Sequence, residues 1–385
     1  MFLALKELKH AKLRYTLMSI IIVLIAWLVF ILSGLGNGLS TLSAAAVKNL
    51  DADYVVYEDG AKATFSKSLI SNSLVDDVKK NKDVKDATPF GASMAAISHG
   101  KKDEEKTDIA VLGINPGEFI EPKVIEGKQL DPDVKNGVLA NDTLKDKGYK
   151  IGDEVQVDSS TIKLKIIGFV EGETYNHLPV LFSNVDQWRD YAFAAPGSNN
   201  GIKDVVNAIV VQAPDLDPAQ LDKSINGIET VTKSAAINGM PGYMEENGTI
   251  LMMLAFLIVI SAFVIAVFFY VITIQKTQQF GVMKAIGASS GFITKAIVSQ
   301  VFVLSVIGIL IGVALTYLTA LIFPENMPFD LDGKLVVLYG IALLVISLLS
   351  SLISVRQIAK IDPLTALGRE LDRSEERFSR NAETD

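Results

Sequence analysis

No charged residue occurs between Arg14 and Lys48. A run of that length reads as a membrane span, because about 20 consecutive apolar helical residues already cross a bilayer core of about 30 Å. Three further uncharged runs follow at 248–275, 296–323 and 335–355, bounded by Glu246 and Lys276, Lys295 and Glu325, and Lys334 and Arg356. The expected fold is an α-helical membrane protein with four transmembrane helices and a large mixed α/β extracytoplasmic domain between the first and second. In detail, residues 1–15 form a cytoplasmic amphipathic helix, 16–47 the first span with an outward extension, and 48–246 the outer domain. Residues 247–275 form the second span, 276–295 a cytoplasmic loop and helix, and 296–323 and 334–355 the last two spans. A short outer loop at 324–333 joins those two, and 356–385 is a cytoplasmic tail.

Basic residues near the span ends set the orientation. Lys6, Lys9, Lys12 and Arg14 precede the first span, Lys276, Lys284 and Lys295 separate the second from the third, and Arg356, Lys360 and Arg369 follow the fourth. An even number of spans places all three groups on one side, which the charge bias makes the cytoplasm. The lysines of 48–246 do not oppose this, since long translocated domains escape the rule. Ala44-Ala45-Ala46 resembles a signal-peptide cleavage site, but the apolar run before it exceeds a signal core of about 7–15 residues. With no cysteine, disulfides and thiolate metal sites are excluded. A net charge of −8 argues against a nucleic-acid partner. His10, His99 and His177 lie too far apart along the chain to suggest a histidine metal site.

In the central block, residues 54–57, 109–112, 155–157, 162–169 and 208–211 read as strands. Residues 69–84 and 218–228 read as helices, the second capped by Asp217. No phosphate-cradling glycine loop, serine–histidine–acid set or carboxylate pair of catalytic spacing stands out, so no catalytic residue is expected. Glu118, Glu121, Glu126, Asp131 and Asp133 are acidic enough for a cation site, yet such clusters are ordinarily solvated, and no metal is expected. Residues 186–191, centred on Trp188, read as a packed helix face rather than a partner surface.

The most specific segment is Gln275-Lys-Thr-Gln-Gln-Phe-Gly-Val-Met-Lys-Ala-Ile-Gly-Ala288. Val282, Met283 and Ile286 fall at helical spacing, suiting a short amphipathic helix that lies along the membrane or docks on a partner. The segment resembles the cytoplasmic signature of the ABC permease superfamily that includes the macrolide exporter and the cell-division permease, E-x-G-x-(L/M)-(K/R)-A-(I/L)-G-A. Gly281, Met283, Lys284, Ala285, Ile286, Gly287 and Ala288 match. Gln279 stands where the pattern has glutamate, which removes a salt bridge from that position. Ile361-Asp-Pro-Leu-Thr-Ala-Leu367 resembles the family's exit motif, and the order of one span, outer domain and three spans agrees over the whole chain. Residues 268–276, Met327-Pro-Phe329 and the N-terminal 3–8 and 12–15 are most similar to haem-exporting permeases of Gram-positive bacteria.

The resemblance implies two copies of the permease working with two copies of an ABC ATPase subunit, which carries the ATP and magnesium. It implies haem as the transported ligand, no intrinsic cofactor, and a multi-pass place in the cell membrane of a Gram-positive bacterium. It also implies that Phe280, Gly281, Val282, Met283, Lys284, Ala285, Ile286 and Gly287 couple the permease to that ATPase. The chain agrees in having no G-x-x-x-x-G-K-(S/T) loop. Its spans carry no charge to serve a proton or ion relay. The alternatives are the same machine exporting another amphipathic substrate, whether peptide, drug or lipid, and a non-transporting ABC regulator of a cell-wall hydrolase.

A haem cargo would leave the bilayer at the outer mouth of the second span. Haem iron accepts His, Cys, Met or Tyr in familiar proteins. With cysteine absent and histidine scarce, the candidates there are Tyr243, Met244, Glu245 and Glu246, with Glu246 first. On a continuous helix Met253 falls on the same face, two turns on. Tyr54 and Glu58, just past the first helix, are more distant candidates. The plainer reading is that the acids mark the end of the span and the tyrosine belongs to the aromatic belt. In the first span Leu28, Leu32, Leu35, Leu39, Leu42 and Ala46 alternate spacings of four and three, a coiled-coil seam. Gly34 and Gly38 add a small-residue face. Together they are the expected packing surface toward the second span or a second copy of the chain, with membrane lipid explaining part of the stripe.

Overall fold

The computed structural model describes residues 12–98, 106–132, 134–158, 162–324 and 327–359. His10, His99, Asp133, Glu325, the N-terminal 1–11 and the tail from 360 with its motif at 361–367 lie outside the described residues. The chain divides into two compact units, Met1–Gly38 with Thr249–Asp385, and Leu39–Gly248. In chain order, α1 (Lys12–Lys48) comes first, followed by β1 (Tyr54–Glu58), β2 (Ile70–Ser71), α2 (Leu74–Lys79), β3 (Asp86–Ser98) and β4 (Thr107–Ile114). Then come β5 (Val124–Gly127), β6 (Gly137–Asn141), β7 (Glu154–Val157), β8 (Lys163–Val170), β9 (Thr174–Tyr175) and β10 (Leu178–Asn184). After them are α3 (Val185–Ala192), β11 (Val205–Val206), β12 (Ala208–Gln212), α4 (Pro218–Ser224), β13 (Ile228–Thr232) and α5 (Lys233–Asn238). The last helices are α6 (Tyr243–Gln275), α7 (Thr277–Ala285), α8 (Ser290–Ala320) and α9 (Gly333–Ala359).

Among the described residues, four helices, α1, α6, α8 and α9, are long and apolar enough to cross a membrane. The protein is thus a four-span membrane protein with a mixed α/β domain between its first and second spans. α6 starts at Tyr243, a turn earlier than the uncharged run, because Glu245 and Glu246 suit the positive end of a helix dipole. α8 starts at Ser290, where the Ser289 hydroxyl accepts a hydrogen bond from Phe292 N–H and caps the helix. Within the membrane unit, small residues set close approaches. A Cβ on Gly308 would overlap Ile22, one on Gly312 would overlap Ala26, and one on Gly36 would strike Ile250. Ser261, Thr273, Thr316, Ser347 and Ser354 each donate to the carbonyl four residues back, which satisfies these hydroxyls inside their own helices.

The outer unit is built on an eleven-stranded sheet with the order β13-β1-β12-β3-β4-β10-β6-β8-β5, plus β7 and β9 at its side. Successive residues of the central strands enter different cores. Ile109, Val111, Val138, Ala140 and Leu181 belong to one, while Ala110, Leu112, Leu139, Val180 and Phe182 belong to the other. A sheet covered on both faces explains why its strands read as apolar runs without alternation. Gly91 and Gly113 are cross-strand partners, and a Cβ on either would overlap the Trp188 indole. Trp188 on α3 is fully buried there and donates from Nε1 to Ser93 Oγ at 3.0 Å.

Two expected helices are shorter than the sequence suggests. In 69–84 only Leu74–Lys79 is α-helical, because Ile70 and Ser71 pair with Val206 and Val205 instead. The helix expected at 218–228 stops at Ser224, since Gly227 takes φ 82° and Ile228 opens the strand that pairs with Glu58.

Candidate functional site

The last residues of α1 belong to the outer unit, and Ala44, Ala45, Ala46 and Val47 are buried there. The alanine triplet is therefore an interior helix face. Beside it runs the β9–β10 hairpin, in which Tyr175 pairs with Leu178. Its two turn residues, Asn176 and His177, have φ 50° and 65°. Two consecutive left-handed residues make the tight turn that Asn-Gly suits best. A histidine in the second place is strained, and it keeps a side chain where glycine would have none. The turn is pinned to α1: Asn176 N–H donates to Ser43 O at 2.7 Å, His177 N–H to Leu42 O at 3.2 Å, and Thr174 Oγ1 to Thr41 O at 3.1 Å.

Three side chains converge at this place. His177 Nε2 lies 2.9 Å from Glu246 Oε1, Ser43 Oγ donates to Glu246 Oε2 at 2.8 Å, and Ser43 Oγ lies 3.1 Å from His177 Nε2. The histidine and glutamate side chains keep 35% and 36% of their surface exposed, so the pair is held but reachable. Alongside, the Tyr243 hydroxyl meets Ser40 Oγ at 2.8 Å, Lys48 Nζ donates to the same Ser40 oxygen at 2.8 Å, and the ammonium sits 5.6 Å from the Tyr243 ring centre. Asn49 donates to Glu173 Oε1 at 3.0 Å, and burial holds the Glu173 carboxyl above its ordinary pKa against the pull of that bond.

The structure thus brings Glu246 together with His177 and Ser43, two residues the sequence did not select. His10, His99 and His177 are remote along the chain, so their spacing gives no reason to select one of them. The one available signal is the Asn-His break between Thr174-Tyr175 and Leu178-Pro179, which reads as a two-residue turn. Tyr243 is buried with its hydroxyl engaged, whereas Met244 and Glu245 are exposed on the same helical turn. Tyr54 and Glu58 do not join the cluster: Tyr54 donates to Leu216 O at 3.2 Å, and Glu58 accepts from Leu69 N–H at 3.0 Å. Of the acidic group, Glu121 accepts from Gly117 and Leu130 N–H, and Glu126 pairs with Lys145.

In the membrane unit Met253 and Leu28 are about half exposed, and Leu32 and Leu35 are partly exposed, as are Leu39 and Leu42 in the outer unit. Gly34 and Gly38 face elsewhere. A Cβ on Gly34 would overlap the Phe329 ring and one on Gly38 the Pro328 backbone, while Asn37 Nδ2 donates to Asp330 Oδ2 at 2.9 Å. The small-residue face is therefore filled by the loop between α8 and α9 of the same chain.

The segment at 280–287 divides into two sides. Phe280 and Gly281 are buried, and Met283 packs with Phe280 and Ile293, while Lys284 is half-buried. Val282, Ala285, Ile286 and Gly287 are exposed. Met283 points inward although it shares helical spacing with Val282 and Ile286, because α7 folds back onto α8 and takes that side. Gly287 ends α7 at φ 97°, with Ala288 N–H returning to Met283 O and Gly287 N–H to Lys284 O, a glycine helix stop.

The model of the MacB-like periplasmic core domain matches residues 16–228, and that of the FtsX-like permease C-terminal domain matches 251–363. A Staphylococcus haemolyticus permease named for a hemin transport system, HrtB, is 27% identical over 368 residues, covering 96% of this chain and 99% of its own. An uncharacterized ABC transporter permease of Mycobacterium bovis is 24% identical over 371 residues, again 96% of this chain and 99% of its own.

Proposed function

Because the chain belongs to the ABC permease family that joins a MacB-like periplasmic core domain to an FtsX-like C-terminal domain, we propose that it is the permease subunit of an ATP-driven pump expelling haem from the membrane. The reading is carried by the convergence of Glu246, His177 and Ser43 at the start of α6, together with staphylococcal relatives named for hemin transport. A carboxylate and an imidazole, both about one-third exposed, are ligands suited to ferric iron. At the first turn of the helix the carboxylate escapes the cost of a mid-bilayer position, about 2.5–3.5 kcal/mol on insertion scales.

In this scheme the iron displaces the His177–Glu246 contact and takes either side chain, with Glu246 as first ligand and His177 as the second candidate. The basic end of the membrane unit faces the cytoplasm, and a separate ATPase subunit binds there at the exposed Val282 and Ile286. Two permeases pair through the outward leucines of α1, and hydrolysis moves the helices rather than opening a hydrophilic pore.

Absorbance titration of the purified full chain with haemin tests the assignment. Wild type is expected to give a saturable Soret shift, and Glu246→Ala to lose or alter it with assembly intact. An unaltered spectrum in Glu246→Ala and in the double variant Glu246→Ala/His177→Ala would remove this site from the proposal.

A further inference from the structure

Away from the Glu246 site, the outer unit exposes a small apolar surface at one end of its sheet. Among the described residues of that unit, the exposed large apolar side chains are Met94, Ile125, Val134, Ile151 and Met244. Three of them, each between 41% and 46% exposed, gather around β5, the last strand of the sheet. Ile125 lies in β5 itself, at the bulge where the register against β8 shifts. Ile151 Cδ1 would lie 3.0 Å from a Cβ on Gly127 of the same strand. Val134 and Ile167 would both come within 3.1 Å of a Cβ on Gly137, so the two side chains meet over the start of β6. Lysines stand beside each of these residues. Lys123 and Lys128 flank Ile125, Lys135 follows Val134, Lys150 precedes Ile151, and Lys165 is the cross-strand partner of Gly137. All five are exposed, and among the described residues none makes an ion pair. The neighbouring acids are engaged: Glu126 with Lys145, Glu154 with Lys163, and Asp153 with the Lys150 N–H at 2.8 Å. Between Lys128 and Lys135 the described acid is Asp131.

An apolar centre with a rim of one charge sign has the anatomy of a docking surface. Lysines that are not neutralised repel one another, and a partner carrying carboxylates removes that repulsion. Isoleucine and valine side chains standing in water gain by burial, which a bare polyanion cannot supply. We propose that this face docks an acidic, amphipathic segment of another protein, its apolar side chains on Ile125, Val134 and Ile151 and its carboxylates on the lysines. Lysines and a bulge also guard an edge strand against unwanted pairing, which is the rival explanation. Guarding calls for charge alone and gives the exposed isoleucines no part, whereas here they form the centre of the surface. The face belongs to the outer unit and does not depend on the haem reading.

The chain has no cysteine, so Gln129→Cys, at an exposed position of the same edge, carries a single environment-sensitive dye. The full chain labelled there is placed in phosphatidylcholine nanodiscs and titrated with a designed peptide that has a leucine face and a glutamate face. A saturable blue shift is expected. Ile125→Ser/Ile151→Ser should weaken binding about tenfold, and Lys128→Gln/Lys135→Gln should weaken it by a similar factor. These are surface changes and should leave the melting temperature near that of wild type. Added salt should weaken binding to wild type and matter less in the lysine variant. Absence of a saturable shift with wild type overturns the proposal, as does a serine double variant that binds as tightly as wild type. Polyglutamate is the control for a bare polyanion, and binding equal to that of the peptide also overturns it. Discs of equal phosphatidylglycerol and phosphatidylcholine are the control for a membrane surface. A blue shift there without peptide would make the occupant anionic lipid and overturn the protein assignment.

Discussion

His177 Nε2 and Glu246 Oε1 sit 2.9 Å apart, and the contact exists because a histidine occupies a left-handed turn position at φ 65°. Substitutions at 177 separate the strain from the side chain. A left-handed non-glycine residue costs about 1–2 kcal/mol, and a partly exposed pair returns about 0–1 kcal/mol. His177→Gly should therefore melt close to wild type, while His177→Ala, which keeps the strain and loses the pair, should melt lower. Thermal unfolding of the full chain in detergent decides between these. If His177 is an iron ligand, both variants should alter the haemin spectrum alike; a glycine variant that melts well below alanine would show that the turn is unstrained.

Glu173 carries a pH dependence. Burial raises its carboxyl pKa in the folded protein, with the Asn49 bond opposing. The native state then holds a proton that the unfolded chain has released, so stability falls as pH rises from the unfolded to the folded pKa. Glu173→Gln keeps the oxygen that accepts from Asn49 and removes the desolvated charge. It should be more stable than wild type at neutral and alkaline pH, with the gain vanishing below about pH 4, where both states of the wild type are protonated. Urea midpoints at pH 4 and pH 8 test it, and an equal gain at both would contradict it.

On α7 the exposed and inward apolar residues should behave differently. Val282→Asp and Ile286→Asp are surface changes costing within about 0.5 kcal/mol, and they should leave the permease intact while weakening copurification of the ATPase and its stimulation. Met283→Asp places a charge against Phe280 and Ile293 and should cost about 2 kcal/mol in the permease itself. ATPase activity of the Val282→Asp/Ile286→Asp complex equal to wild type would sink the coupling role.

Gly34 and Gly38 are predicted to act on the fold of one chain. A methyl on Gly34 meets a ring that can swing, whereas one on Gly38 meets backbone that cannot. Gly38→Ala should cost about 1–3 kcal/mol and Gly34→Ala distinctly less. Comparing the unfolding midpoints of the two variants is enough to check the order.

Pairing of two permeases has its own test. The chain has no cysteine, and Leu28 is 49% exposed. Leu28→Cys should form a disulfide only between protomers under mild oxidation, whereas cysteine in place of buried Val29 should not. Equal crosslinking at both positions would count against pairing through this face.

Local sequence carried the spans well, because an absence of charge over such lengths leaves few alternatives. It also exposed the apolar strands at 109–112 and 208–211. It was silent on β3, the long strand at the centre of the sheet, whose Pro89, Gly91 and several alanines have little strand propensity of their own. That strand exists because β12 and β4 pair with its two halves. Glu246 was legible as an acid at the end of a span. Its partner His177 was not, since nothing local to either residue encodes a hairpin pinned to the carbonyls of Leu42 and Ser43. The helix expected over 69–84 failed for the same reason: tertiary pairing with Val205 and Val206 overrode its apolar spacing.

Ala44, Ala46 and Val47 of α1 share a core with Val55, Phe90, Leu112, Met240 and Tyr243. The outer domain therefore does not start where the helix ends. A soluble fragment trimmed at Leu50 or Asp53, the boundary a hydropathy plot recommends, discards part of its own interior and leaves Tyr243 facing a void. One that runs from Leu39 to Gly248 keeps that interior closed. For producing the domain alone, as an antigen or a crystallisation target, the place to cut lies inside α1, at residues that look least like those of a water-soluble protein.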